Sequence, residues 1–178
     1  MRTIEEDILS WSKDFLELPN EALGGKPVCP YAKMARTHGL LKIVVESSAD
    51  DLLERVVYEC NHFKDSGKEI CIIACPDLSI TGDELDNYTH TLNHVFVPKD
   101  VYLMAFHPEG YDEPVEFLEN GGWESHNEFL MVLIQPFEKL EQASANLEKI
   151  GFYESWDKDY YESTVTKRKT YRRLLCEE

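Results

Sequence analysis

Ile70-Cys71-Ile72-Ile73-Ala74-Cys75, closed by Pro76, is a run without a charge and without apolar–polar alternation. A strand that is apolar on both faces is covered on both faces, which is the place of an interior strand in a layered sheet. Pro76 has no amide proton to give to a ladder and stops the strand there. Working outward, Ser47, Ser48, Asp50 and Asp51 open a helix that carries Leu52, Leu53, Val56, Val57, Cys60 and Phe63 inward, with Gly67 as its stop. A strand over residues 40–46 precedes that helix. On the other side, Thr81 with Glu84 starts a second helix whose apolar face is Leu85, Tyr88, Leu92, Val95 and Phe96. Strands over residues 101–106 and 129–134 follow, then a helix over 138–150 stopped by Gly151. At the front of the chain, Thr3 with Glu6 caps a helix bearing Ile4, Ile8, Trp11, Phe15 and Leu18.

Strands alternating with helices imply crossover connections. The expectation is therefore an α/β fold: a single domain over residues 1–178, with a mainly parallel sheet of about four strands and flanking helices. Residues 108–127 read as a long loop, a candidate lid, rich in acidic and aromatic side chains. Residues 152–178 carry no readable period and stand as a C-terminal extension.

The 178 residues are 43% hydrophobic, enough for a core without staples. Acidic residues number 34 against 18 basic ones, a net charge of −16. Nucleic acid and anionic membrane surfaces are thus not expected partners, because both are held by cationic side chains. The basic cluster Lys167, Arg168, Lys169, Arg172 and Arg173 reads as a solvated helix face, or else as a docking patch. Five cysteines without regular spacing make no disulfide framework. Cys71 and Cys75 on one strand would stand about 13 Å apart, beyond disulfide reach. The first residues are acidic and lack the apolar core of a signal peptide, and no stretch approaches the roughly 20 apolar residues of a membrane span. A reducing cytoplasm is the expected location.

Three strands end alike, at Cys75-Pro76, His107-Pro108 and Gln135-Pro136. In a parallel sheet these ends share one edge, and ligands of open α/β sheets bind outside the carboxyl ends of strands. Cys75, Asp77 and Gln135, with Tyr111 from the loop, are accordingly the candidate substrate-binding residues, and His107 is a candidate general acid or base. Each Xaa-Pro taken singly also reads as plain strand punctuation. Cys29 precedes Pro30 at the start of a short helix, where unsatisfied amides favour a thiolate, and Lys33 lies one turn on. A buried free cysteine reads equally well as a small hydrophobe. His90 and His94, four residues apart, fall opposite the apolar stripe, on a solvent face. His107 and His126 with loop carboxylates are the candidate metal ligands, without a spacing signature. No GxGxxG, Walker loop or GxSxG elbow is present, and the Cys-Pro dipeptides are too common to indicate haem.

Trp11, the segment Val28-Cys29-Pro30-Tyr31-Ala32-Lys33, the strand end Ile72-Ile73-Ala74-Cys75-Pro76 and the segment Ala105-Phe106-His107-Pro108 together resemble the uncharacterised bacterial DUF1415 family. The likeness covers roughly residues 11–110. It implies that Cys29, Pro30, Lys33, His107 and Pro108 belong to one signature, and it names no reaction or cofactor.

The expected function is a small cytosolic enzyme of unknown reaction. Cys29 would be its nucleophile, aided by Lys33, and His107 its acid or base, acting on a small-molecule or protein substrate. The alternatives are a non-haem iron or zinc protein and a non-enzymatic binding or regulatory domain. Cofactor and oligomeric state are not legible in the sequence.

Overall fold

The computed structural model describes residues 2–108 and 128–176. Most of the candidate lid, with Tyr111 and His126, lies outside the described residues. Helix α1 (Ile4–Trp11) has both halves of its capping box, the Thr3 hydroxyl accepting the Glu6 amide and the Glu6 carboxylate accepting the Thr3 amide. It runs on into a π-helical turn, Ser12–Leu16. A minimal hairpin follows, β1 (Pro19–Asn20) with β2 (Lys26–Pro27), then helix α2 (Ala32–Thr37).

The central sheet is built from β3 (Leu41–Val45), β4 (Ile70–Cys75), β5 (Tyr102–Phe106) and β6 (Leu130–Gln135). Its strand order is β3-β4-β6-β5. Only β3 and β4 pair in parallel; β6 runs antiparallel to both its neighbours, with Cys75 opposite Leu130 and Phe106 opposite Met131. The sheet is therefore mixed, not mainly parallel. The reason lies in the connection: β5 and β6 are adjacent and joined through residues 107–129 at one end of the sheet, so the chain returns antiparallel. As a consequence Gln135 ends β6 at the edge opposite to Cys75 and His107, and the shared carboxyl edge expected for the three Xaa-Pro pairs does not form.

Helices α3 (Ala49–His62) and α4 (Gly82–Phe96) link β3 to β4 and β4 to β5. Both connections step along the sheet in the same direction. One crossover hand then places both helices on the same face. They pack there against the odd-numbered side chains Cys71, Ile73 and Cys75 of β4, with Leu52, Val56, Leu85 and Phe96 in one buried cluster. The edge of β5 is covered by Asn93 of α4, whose side-chain amide donates to the Leu103 carbonyl at 3.0 Å and accepts the Leu103 amide at 2.8 Å.

The other face, carrying Leu41, Ile70, Ile72, Met104 and Leu133, is left to the two ends of the chain. From the front come α1, with Ile8 buried against Ile72 and Met131, and the segment from Val28 through α2. From the back come α5 (Phe137–Lys149) and a broken helical stretch. That stretch comprises α6 (Lys158–Tyr161), a π-helical turn at Glu162–Thr166, α7 (Lys167–Thr170) and a 3-10 turn over Tyr171–Cys176. The C-terminal extension is thus part of the fold. No helix among the described residues is long and apolar enough to cross a membrane.

Candidate functional site

A cavity of about 270 Å³ lies over this second face. Its floor is Leu41, Ile70, Ile72, Met104 and Leu133 of the sheet. Trp11, Phe15 and Cys29 wall one side, and Leu140, Ser144, Tyr153, Trp156 and Arg168 the other. The lining is predominantly apolar. Both π-helical turns contribute to it, through Phe15 and Leu16 in one and Thr164 in the other. Turns of this type recur at functional sites because they displace side chains from the regular helical register.

Cys29 is half-buried at the cavity wall, ahead of α2, whose cap position is Tyr31. Pro30 is therefore not the first helical residue. The Cys29 carbonyl accepts the Ala32 amide at 3.2 Å, and the Tyr31 and Ala32 amides also act on the sulfur and pull toward thiolate, although Cys29 is not the capping residue. Burial nevertheless wins and pushes the thiol pKa up, with the Glu17 charge adding to the push. Glu17 is held ionised by Arg36, its two carboxylate oxygens accepting from Nε at 2.7 Å and from Nη2 at 2.8 Å. Lys33 is exposed on α2, is not part of the cavity wall, and its charge acts on Glu17.

His107 lies elsewhere. Its Nε2 donates to the Ile80 carbonyl at 3.0 Å, and its ring lies so close to Gly82 that a Cβ there would stand 3.5 Å from the His107 Cβ. Gly82 begins α4, so His107 ties the end of β5 to the helix on the packed face. Cys75 points into that same packed core, where burial raises its pKa, and its sulfur accepts the Asp77 amide at 3.4 Å. Asp77 accepts the Ala49 amide at the start of α3 and the Ser79 amide, both at 3.0 Å, bonds that hold its carboxyl below the usual range. Of the candidate residues, the structure brings Cys29 and Gln135 to the cavity, and Cys75, Asp77 and His107 to the opposite side of the sheet. Gln135 donates to the Met104 sulfur at 3.4 Å. Among the described residues no three His, Cys, Asp or Glu side chains gather within reach of one metal ion. His90 and His94 are exposed, the His90 ring tilted and the His94 ring edge-on against Tyr171.

Arg168 was the unexpected residue. It stands in the basic cluster expected to be solvated, yet it is 4% exposed and lines the cavity. Its Nε donates to Glu141 Oε1 at 2.6 Å, while Nη2 is buried with no hydrogen-bond partner among the described residues. Beside it, the Ser144 and Tyr153 hydroxyls are bonded to each other at 2.9 Å. A helical spacing gives the clue in retrospect: Val165, Arg168 and Tyr171 fall on one stripe and all are buried. Glu141 likewise sits between buried Phe137 and Ser144 on α5.

Residues 5–125, more than half of the chain, match the family described as a domain of unknown function, DUF6875. The chain belongs to the DUF6875 family. That is an uncharacterised family, as the sequence likeness implied, but not DUF1415. No curated protein and no solved structure matches the chain. The DUF6875 match contains the Trp11 and Cys29 wall and most of the cavity floor. The Arg168 wall, from Leu140 onward, lies beyond it.

Proposed function

We propose that this DUF6875 protein binds a largely apolar small molecule in the cavity over the second face of its sheet. The observation that carries the reading is the cavity itself, an apolar volume of about 270 Å³ over one face of a sheet whose other face carries a continuous buried cluster. Protein interiors are close-packed, and voids larger than a water molecule are few. The volume exceeds the ~150 Å³ of an apolar cavity that takes up benzene, and approaches the roughly 300 Å³ at which ligand pockets begin. A reaction at Cys29 would take place on a molecule held in this volume, with a thiol that is protonated at neutral pH.

The test is titration with butylbenzene, followed by tryptophan fluorescence and by thermal unfolding. Trp11 and Trp156 both line the cavity and report on its occupant. Saturable binding with a rise in Tm is expected. Ala143→Leu, which projects a larger side chain from the α5 wall, should abolish the binding while leaving the protein folded. Butylbenzene binding that is absent in the parent protein, or unchanged in A143L, contradicts the reading.

A further inference from the structure

We infer that a second site, at the outer edge of β5, binds a small uncharged carboxamide through the backbone amide and carbonyl of Ala105. It is independent of the larger cavity. β5 is the last strand of the sheet, with β6 on one side only. In an antiparallel pair, alternate residues turn their amide and carbonyl toward the partner strand, and the residues between turn theirs outward. Leu103 is of the outward kind, since the Asn93 side chain takes both its groups. The register runs on without a bulge from Leu103 opposite Ile134 to Ala105 opposite Val132, so Ala105 also faces outward. No hydrogen bond to the Ala105 amide or carbonyl is made from that side among the described residues.

The place beside Ala105 is a cavity of about 130 Å³, lined by Ala105 itself, by Asp86 and Thr89 of α4, and by Thr164 and Lys167 from the C-terminal stretch. The Ala105 methyl packs against the core cluster under α3 and α4, which leaves its backbone to border the cavity. As β5 advances, α4 recedes alongside it: Asn93 stands at Leu103 and Gly82 at His107. Two strand residues span about 6.7 Å and one helical turn about 5.4 Å, so Thr89 comes beside Ala105 as Asn93 does beside Leu103. Thr89 has no amide to offer, and its hydroxyl donates back to the Asp86 carbonyl at 3.0 Å.

Asn93 shows what chemistry this edge accepts. A carboxamide both donates and accepts, and so meets a backbone carbonyl and amide together. A carboxylate or ketone can only accept, and leaves the carbonyl of Ala105 without a donor. An added β-strand would need the Leu103 pair as well, which Asn93 already holds. The remaining wall includes His90, Tyr102 and Tyr171, whose rings pack together and suit a flat, unsaturated body on the amide.

Benzamide, acetophenone and benzoate test this, because they share a ring and differ in the group that meets Ala105. Titrated into ¹⁵N-labelled protein, benzamide should bind saturably, move the Ala105 amide resonance and slow the exchange of that amide with solvent. Acetophenone and benzoate should each bind at least about tenfold more weakly, since each leaves a backbone partner unmet. Thr89→Asn supplies an internal carboxamide one turn before Asn93; it should protect the Ala105 amide without ligand and abolish benzamide binding. Should T89N fail to fold, Ala105→Pro removes the amide proton where the ladder does not use it, and should lower benzamide to the affinity of acetophenone. If neither variant folds, the comparison of the three probes in the parent protein decides. Equal binding of benzamide and acetophenone, a benzamide response that bypasses Ala105, undiminished binding in a folded variant, or no benzamide binding overturns the inference. None of these outcomes bears on butylbenzene in the larger cavity.

Discussion

The two faces of the sheet are made by alternate residues of the same strands, yet they are covered in opposite ways. On the face of Cys71, Ile73 and Cys75, two unbroken helices of 14 and 15 residues lie across the strands and close the core. On the face of Ile70 and Ile72, the cover is assembled from the 8-residue α1, the 6-residue α2, α5 and a C-terminal stretch interrupted by a π turn. Long helices present a continuous apolar stripe that can interdigitate with a sheet. On the second face only the 13-residue α5 is of comparable length, the other pieces are short or interrupted, and a cavity remains among them. The difference teaches that the crossover helices close the core here, and that the chain ends, freed from that task, shape the cavity.

Glu59 on the packed face and Glu141 on the cavity face are both buried carboxylates held by a cation, and breaking these two pairs is expected to give the largest contrast. Glu59 on the packed face is matched by Lys42 at 2.6 Å, but the Lys42 side chain is 37% exposed and shares solvent. Glu141 is matched by an Arg168 that solvent hardly reaches. Arg168→Ala should therefore cost about 3–5 kcal/mol in urea unfolding. Lys42→Ala should cost less, about 1–2 kcal/mol, because water can reach the site the lysine leaves. Equal losses would mean that the two sites are equally wet.

Truncating one leucine on each face comes next. Leu85→Ala, in the packed cluster, should lose about 2–5 kcal/mol. Leu133→Ala, half-buried at the cavity floor, should lose no more than about 2 kcal/mol, since its far side already borders open volume. Chemical unfolding of both variants measures the gap, and a costlier Leu133 would argue that the second face is as solid as the first.

A smaller contrast is expected at alkaline pH. Cys60 and Cys71, in the packed core, have thiol pKa values pushed up to about 12, chiefly by burial. Between the ordinary thiol range and that value the folded state holds protons that the unfolded state has released. Their stabilising contribution is thus complete below about pH 8.5 and falls as pH rises, by on the order of 1 kcal/mol per unit for each thiol. Cys71→Ala should flatten this slope between pH 9 and 11. An unchanged slope would show that these thiols ionise as easily folded as unfolded.

Much of this fold was legible because it is local. The capping boxes of Thr3 with Glu6 and Thr81 with Glu84, and the left-handed stops at Gly67 and Gly151, set the helix ends near where the spacing put them. The direction of β6 was not legible, because an apolar run reads the same in both directions; only the lack of a helical period between residues 108 and 127 hinted at a return rather than a crossover. The site was less legible still. The amides that act on the Cys29 thiol were legible, but burial, which no local spacing reveals, overrides them. Arg168 was masked by its neighbours Lys167 and Lys169, whose charges suggested a solvated face for all three. His107-Pro108 resembled Cys29-Pro30 in form, and the two motifs ended on opposite sides of the sheet.

The most direct test of the account is a crystal structure determined under xenon pressure, since xenon enters dry apolar cavities without needing a specific contact. Xenon is expected between Trp11, Cys29, Leu133 and Trp156, and nowhere between the sheet and the helices α3 and α4. Xenon absent from the second face, or lodged beneath α3 and α4 instead, would contradict the claim that one face of this sheet is built for packing and the other for a ligand.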